Sequence, residues 1–207
     1  MEVKERILFV SKELFHRYGI RSVKMDDVAK ELTMSKKTLY QYYKDKDELV
    51  DETTKAHISR ERREFEKISR DSENAIEELF SFSKCLRRNM NEVNPTLLYD
   101  LKRYYPNSWK HWLDFKEDYV FESIVDNMKN GIKDGYFRKD LDPQVMAILR
   151  VLEVEMLFDI DTFPASDFDY RHVQLQLFHH FVFGIATEKG RKLYQQYLET
   201  EKDEAIT

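Results

Sequence analysis

The chain has 207 residues, 42% of them hydrophobic and 35% charged, with a net charge of −5. That is the profile of a globular protein with chain enough for one or two compact domains and a sizeable core. A single cysteine, Cys85, excludes an intramolecular disulfide or a cysteine-based zinc site, and no apolar run is long enough to span a membrane. The charged start, Met1 to Arg6, leads into no apolar signal region, so a cytoplasmic location with no membrane partner is expected.

Only five glycines and four prolines occur, which favours long helices over a many-turned β fold. Charge is uneven along the chain. Residues 1–48 hold 11 Lys/Arg and 9 Asp/Glu, a net of +2, while the remainder carries −7. A mildly basic segment therefore precedes an acidic body, and the distribution matters more for partners than the sum does.

In chain order, Ile7, Val10, Leu14, Phe15 and Tyr18 recur at steps of three and four, predicting an amphipathic helix ended by Gly19. A short helix follows with Val28, Ala29 and Leu32, its first turn carrying Asp26 and Asp27. Ser35 is a suitable N-cap for a third helix over 36–43, and Asp45 for a fourth running toward Asp71. Ser72 or Asn74 then starts a helix to about Asn91, Pro95 a shorter one, and Pro106 a long one ending near Gly131 or Gly135. Asp142-Pro143 marks a firm start for a helix to about Asp159. A loop over 162–169, a helix over 170–186 and a last helix capped by Thr187 complete the chain, which frays over 199–204. The predicted fold is all-α: an N-terminal three-helix helix-turn-helix domain over 1–48, then a larger helical domain over 49–207.

Segments 145–160 and 173–185 are apolar on nearly every side. A helix of that kind must be buried all round, and in so small a chain a second copy supplies the missing cover, so a homodimer is expected.

Segment 28–43 has the helix-turn-helix layout of short helix, three-residue turn and second helix. A helix that reads DNA must be narrow, cationic and rich in donors to base edges and phosphates. Lys36, Lys37, Thr38, Tyr40, Gln41 and Tyr42 supply those groups within two turns, and Lys46 follows at the start of the next helix.

Four ordered blocks make the pattern specific: Leu14-Phe15-His16-Arg17-Tyr18-Gly19, Met25-Asp26-Asp27-Val28-Ala29, 35–43, and Lys46-Asp47-Glu48-Leu49. Together they resemble the DNA-binding region of TetR-family repressors over roughly residues 5–50. Residues 131–138 with Leu141-Asp142-Pro143 resemble the turn those proteins place before their dimerisation helices. The resemblance implies that Thr38, Tyr42 and Lys46 hold backbone phosphates and that Lys36, Lys37 and Gln41 reach bases. It further implies that Tyr40 both packs and approaches DNA and that Leu39 is core. Three departures stand out. Thr33 and Lys37 replace common glycines, and Asp26 replaces a basic or hydroxyl residue. A β-branched residue is disfavoured at positive φ, so the turn at Thr33 is expected to take a somewhat different backbone.

The middle of the chain is aromatic. Phe80, Tyr104, Trp109, Trp112, Phe115 and Tyr119 are candidate lining for an apolar or aromatic effector, as the resemblance implies. The same residues at helical spacing also suit an ordinary core. Adjacent His179-His180 cannot chelate like an i, i+4 pair, and the isolated Asp169/His172 and His111/Asp114 pairs make no di-metal set. No catalytic or nucleotide-binding signature occurs, so neither enzyme nor cofactor is expected. The expected function is a sequence-specific regulator of operator DNA, released by a small ligand. The alternative is a helical small-molecule-binding or catalytic protein with a vestigial helix-turn-helix, which the acidic net charge and Asp26 favour and the intact lysines oppose.

Overall fold

The helices lie where the apolar spacing places them. The computed structural model describes residues 2–90, 96–157, 162–164 and 166–204, with side chains left aside at 89, 90 and 202–204. Among these the chain is helical, with no strand beyond one antiparallel bridge between Phe137 and Ala186. The N-terminal helices are α1 (Val3–Tyr18), α2 (Met25–Glu31), α3 (Lys36–Tyr42) and α4 (Lys46–Asp71). After them come α5 (Ala75–Met90), α6 (Leu97–Tyr104), α7 (Pro106–Asp114) and α8 (Phe121–Lys133). The last three are α9 (Pro143–Met156), α10 (Tyr170–Ile185) and α11 (Glu188–Glu204). The helix ends expected at Asn91 and Asp159 and the start expected at Pro95 lie outside the described residues.

The caps follow the sequence closely. Gly19 ends α1 with φ 79°, a conformation that favours glycine, and its N–H donates to the Phe15 carbonyl at 2.9 Å. The Ser35 hydroxyl accepts from the Thr38 N–H at 3.0 Å, and Asp45 from the Glu48 N–H at 2.8 Å. Asp142 accepts from the N–H groups of Gln144 and Val145 with Pro143 in the first turn. The long helix expected from Pro106 does run to Lys133, but Phe115–Val120 within it is wound as π-helix. That wider turn shifts the register of all that follows it.

The chain forms two compact units, residues 1–63 with 92–115, and 64–91 with 116–207. The domain boundary expected after residue 48 lies within α4, whose residues 46–63 group with α1–α3, α6 and α7. The first unit is built on Ile7, Phe15, Val28, Ala29, Leu32, Leu39, Tyr43, Leu49, Val50 and Leu101. Each fully buried Leu, Ile or Phe of this kind stabilises by about 1.5–3 kcal/mol. The second unit packs α5, α8, α10 and α11 around Ile76, Leu79, Phe80, Met128, Phe137, Phe178, Phe181 and Tyr194. In the turn after α8 the Phe137 ring lies so close over Gly131 that any Cβ there would collide with it. The N–H of Arg138 donates to the Ile185 carbonyl, and that of Thr187 to the Tyr136 carbonyl, both at 2.9 Å, tying this turn to the end of α10.

Within the chain, α9 is not buried on all sides. Its inward face carries Ala147, Arg150 and Glu153, while Val145, Ile148, Leu149, Leu152 and Met156 are exposed. Arg150 and Glu153 pair at 3.2 Å, and the guanidinium lies 5.1 Å from the centroid of the Phe178 ring and 5.7 Å from that of Phe181.

One polar contact in the first unit sets its response to acid. His16 of α1 and His57 of α4 meet edge to face, 5.3 Å between centroids. Burial, then Lys12, pushes the His16 pKa down to about 4 against the opposing pull of Glu13. Burial, then His16, Lys12 and Arg60, pushes His57 down to about 3. Both are neutral in the folded state, whereas unfolded histidines titrate near 6.5. The stability they contribute is present above that value and is lost as pH falls toward the folded values. The melting temperature is therefore expected to drop between pH 7 and pH 5, and less so in His57→Phe. Thermal unfolding across that range checks this, and a flat wild-type profile contradicts it.

Candidate nucleic-acid interface

The geometry of α3 follows from two buried positions. Leu39 and Tyr43, four residues apart, are 0% and 1% exposed and face the core of the first unit. Every other side of the helix is turned away from that core. Lys36, Lys37, Tyr40, Gln41 and Tyr42 are exposed, and Thr38 is half-buried with its hydroxyl 2.8 Å from that of Ser35. Two adjacent turns thus present ammonium, amide and phenol groups on one small surface.

The lysines differ in their engagement. Lys36 pairs with Asp26 of α2 at 2.8 Å and lies 5.9 Å from the centroid of the Tyr40 ring. The hydrogen bond to Asp26 pushes its pKa up. Lys37 has no ion-pair partner among the described residues. Lys46 is half-buried and donates to the Ile20 carbonyl at 2.6 Å, with the Arg21 carbonyl at 3.5 Å, and burial lowers its pKa. It therefore ties the turn after α1 to the start of α4.

Sequence reading missed the companions of that turn. The Arg21 N–H donates to the buried Asp100 carboxylate at 3.2 Å, and the Arg21 guanidinium lies 4.5 Å from the centroid of the Tyr104 ring and bonds its hydroxyl at 3.1 Å. Asp100 and Tyr104 sit on α6, roughly eighty residues from Arg21 in sequence. No local pattern signals such a pairing.

The turn before α3 keeps a left-handed residue. Thr33 has φ 54°, so the backbone is retained where a different one was expected. Hydrogen bonds hold it there: the Thr33 N–H to the Lys30 carbonyl at 3.0 Å, the Met34 N–H to the Ala29 carbonyl at 2.9 Å, and the Thr33 hydroxyl to the Leu32 carbonyl at 2.7 Å. Surrounding structure that over-determines a residue can hold it in a strained region.

The candidate effector residues divide between the units. Tyr104, Trp109, Trp112 and Phe115 belong to the first, where Trp109 packs on the core and Trp112 and Phe115 are 6.1 Å apart. Phe80 and Tyr119 belong to the second, Phe80 stacked on Tyr197 at 5.6 Å. Among the described residues, no group of three or more His, Cys, Asp or Glu side chains could hold a metal ion, and no helix is long and apolar enough to cross a membrane.

A short helix presenting cationic and amide side chains, held after a three-residue turn, has the helix-turn-helix arrangement. The family model for bacterial regulatory proteins of the tetR family matches residues 7–53. YvaF, an uncharacterized HTH-type transcriptional regulator of Bacillus subtilis, is 29% identical over 161 residues, 75% of this chain and 80% of its own. Among solved structures, reduced NemR of E. coli superposes with a TM-score of 0.74 at 13% identity, covering 90% of this chain and 98% of its own. A transcriptional regulator of Saccharomonospora viridis in complex with choline gives 0.73 at 19% identity, covering 89% and 98%. At such identities the structures speak for the fold alone, while the family match and the Bacillus relative speak for the sequence. The chain is thus similar to TetR-family transcriptional regulators, most directly over residues 7–53.

Glycine at position 33 would relieve the left-handed strain, at the cost of a more flexible unfolded chain. Thr33→Gly is expected to stabilise the protein by about 0.5–1 kcal/mol. Denaturant unfolding reads this directly. A loss of stability would mean that the hydroxyl bond to Leu32 outweighs the strain.

Proposed function

We propose that this regulator is a repressor that binds near-palindromic operator DNA as a homodimer and releases it when an apolar or aromatic small molecule binds. The observation that carries the reading is α3: one buried seam, Leu39 and Tyr43, with Lys36, Lys37, Tyr40, Gln41 and Tyr42 all turned outward. Residues 1–48 are the DNA-reading module, and each subunit places α3 in one of two successive major grooves. Lys36, Lys37 and Gln41 face base edges, Thr38 and Tyr42 face phosphates, and Tyr40 lies along the backbone. Lys46 reaches a phosphate beside its bond to the Ile20 carbonyl.

Self-association is supported by α9. Val145, Ile148, Leu149, Leu152 and Met156 form a stripe at helical spacing, each between 40% and 53% exposed. An apolar groove lined by Phe121, Ile148, Val151 and Leu152, with the Lys116–Glu155 ion pair (2.7 Å) at its edge, continues that stripe. Contiguous apolar surface of this kind marks an interaction site, and a second copy of the same stripe covers it symmetrically.

Effector binding is supported by aromatic residues within each unit, Tyr104, Trp109, Trp112 and Phe115 in the first and Phe80 and Tyr119 in the second, and by the similar Saccharomonospora regulator, which is in complex with a small molecule, choline. Tyr104 already holds Arg21, so a ligand that displaces its ring acts on the turn ahead of α2. Coupling of about 1–3 kcal/mol weakens operator binding roughly 5- to 150-fold.

Binding to a duplex selected by the protein from a random library should weaken with salt at a log–log slope of roughly −5 to −7, as expected for three or four phosphates per subunit. A salt-insensitive complex, or none, contradicts the reading. Leu152→Glu should give monomers by light scattering and a large loss of operator affinity. A wild-type monomer at micromolar concentration contradicts the dimer. For the effector, quenching of Trp109 and Trp112 by an aromatic ligand should require more ligand when operator is saturating, by the same factor that the ligand weakens DNA. Equal affinity with and without operator separates the pocket from control of DNA.

A further inference from the structure

Lys36 is the first residue of α3, the end of a recognition helix that meets base edges. Its ammonium is 2.8 Å from the Asp26 carboxylate, and the two side chains are 57% and 61% exposed. A pair so exposed adds little to folding, and the joining of α2 to α3 already rests on buried Val28, Ala29 and Leu39. A carboxylate set beside the cation of a DNA-facing helix therefore calls for a role on DNA.

We propose that Asp26 and Lys36 act as one neutral, dipolar reading unit, silent toward the phosphate backbone and matched to a G·C base pair. This rests on α3 being the DNA-reading helix. Sequence-independent binding is driven by cations that neutralise phosphates and release counter-ions. Lys36 brings its own counter-ion in Asp26, so it has no net charge to offer. For it to bind a phosphate, the pair must break and leave Asp26 bare beside a polyanion. A G·C edge is different. Guanine O6 and N7 accept from the ammonium while cytosine N4 donates to the carboxylate, so both members gain partners and the pair need not break. Asp26 thereby lowers affinity for wrong sequences and adds discrimination at one position of each half-site.

Asp26→Asn separates the two effects. Affinity for a scrambled duplex should rise, with a salt slope steeper by about 0.9 per subunit. For a dimer, the gain over wild type is then roughly tenfold larger at 50 mM than at 200 mM salt. Affinity for the selected operator should rise less, so the operator-to-scrambled ratio falls, and one G·C preference per half-site should relax in a library competition. Asp26→Ser, which removes the same charge, should behave alike. In a Lys36→Ala background, Asp26→Asn frees no cation, so its effect on the slope should be much smaller than in the wild-type background.

If Asp26→Asn and Asp26→Ser leave slope, ratio and base preference at wild-type values, the inference is overturned while the regulator reading stands. If the slope change persists at full size without Lys36, Asp26 acts only as a plain repulsive charge and the paired unit is overturned. A wild-type protein that binds neither duplex overturns the regulator reading and this inference with it.

Discussion

The outward surface of α3 depends on the burial of Leu39 and Tyr43. α3 has seven residues, too few for a helix to persist unaided in water. It exists because one stripe of it is driven into a core made by α1, α2 and α4, and because Ser35 satisfies one of its free N–H groups, that of Thr38. The two buried positions then dictate the orientation of all the others. With positions 39 and 43 inward, 37 and 41 point away from the core and 40 and 42 flank the seam, while 36 is exposed as the first residue of the helix. The chemistry offered to a ligand at α3 is thus a consequence of apolar packing behind it.

That packing is steered by polar ties at the turn after α1. Lys46 bonds the Ile20 carbonyl, and Asp100 and Tyr104 of α6 hold the amide and guanidinium of Arg21. Two distant stretches of chain thus converge on a turn of a few residues. Because Asp100 is buried and Lys46 half-buried, these bonds form in surroundings where they are stronger than in water, and where loss of one partner leaves the other unsatisfied. The turn is consequently set by α4 and α6 together, and any shift of α6 within the first unit is felt there.

The helices were legible in the sequence because their signals are local. The spacing of Ile7, Phe15 and Leu39, the caps Ser35, Asp45 and Asp142, and Gly19 each act within a few residues, and each is found in the expected role. The outward set on α3 was readable for the same reason, since only Leu39 interrupts its polar run. What the sequence concealed is the set of partners across space. Asp26 was visible as a departure, but its hold on Lys36 needs α2 and α3 folded together. Lys46 reads as one more surface lysine until the Ile20 carbonyl is brought under it. The π-helical turn at Phe115–Val120 has no proline or glycine to announce it.

The inversion of α9 shows how two such surprises can be one. Arg150 is buried against Phe178 and Phe181 and pairs with Glu153 inside the second unit. Removing two charges from water is costly, and the attraction between them offsets that only with good geometry and further partners. The faces of two rings supply part of the remainder. Burial pulls the Arg150 pKa down and pushes the Glu153 pKa up, as a pair held away from water requires. A helix that commits its inward face to an ion pair has nowhere inside for its large apolar residues. Val145, Ile148, Leu149 and Leu152 must then face outward, although their composition gives every reason to bury them. On a monomer this would be a poor arrangement, with charge inside and hydrocarbon outside. It becomes a favourable one when a second apolar surface closes over the stripe, because burial of the outer face then compensates for what the inner face forgoes.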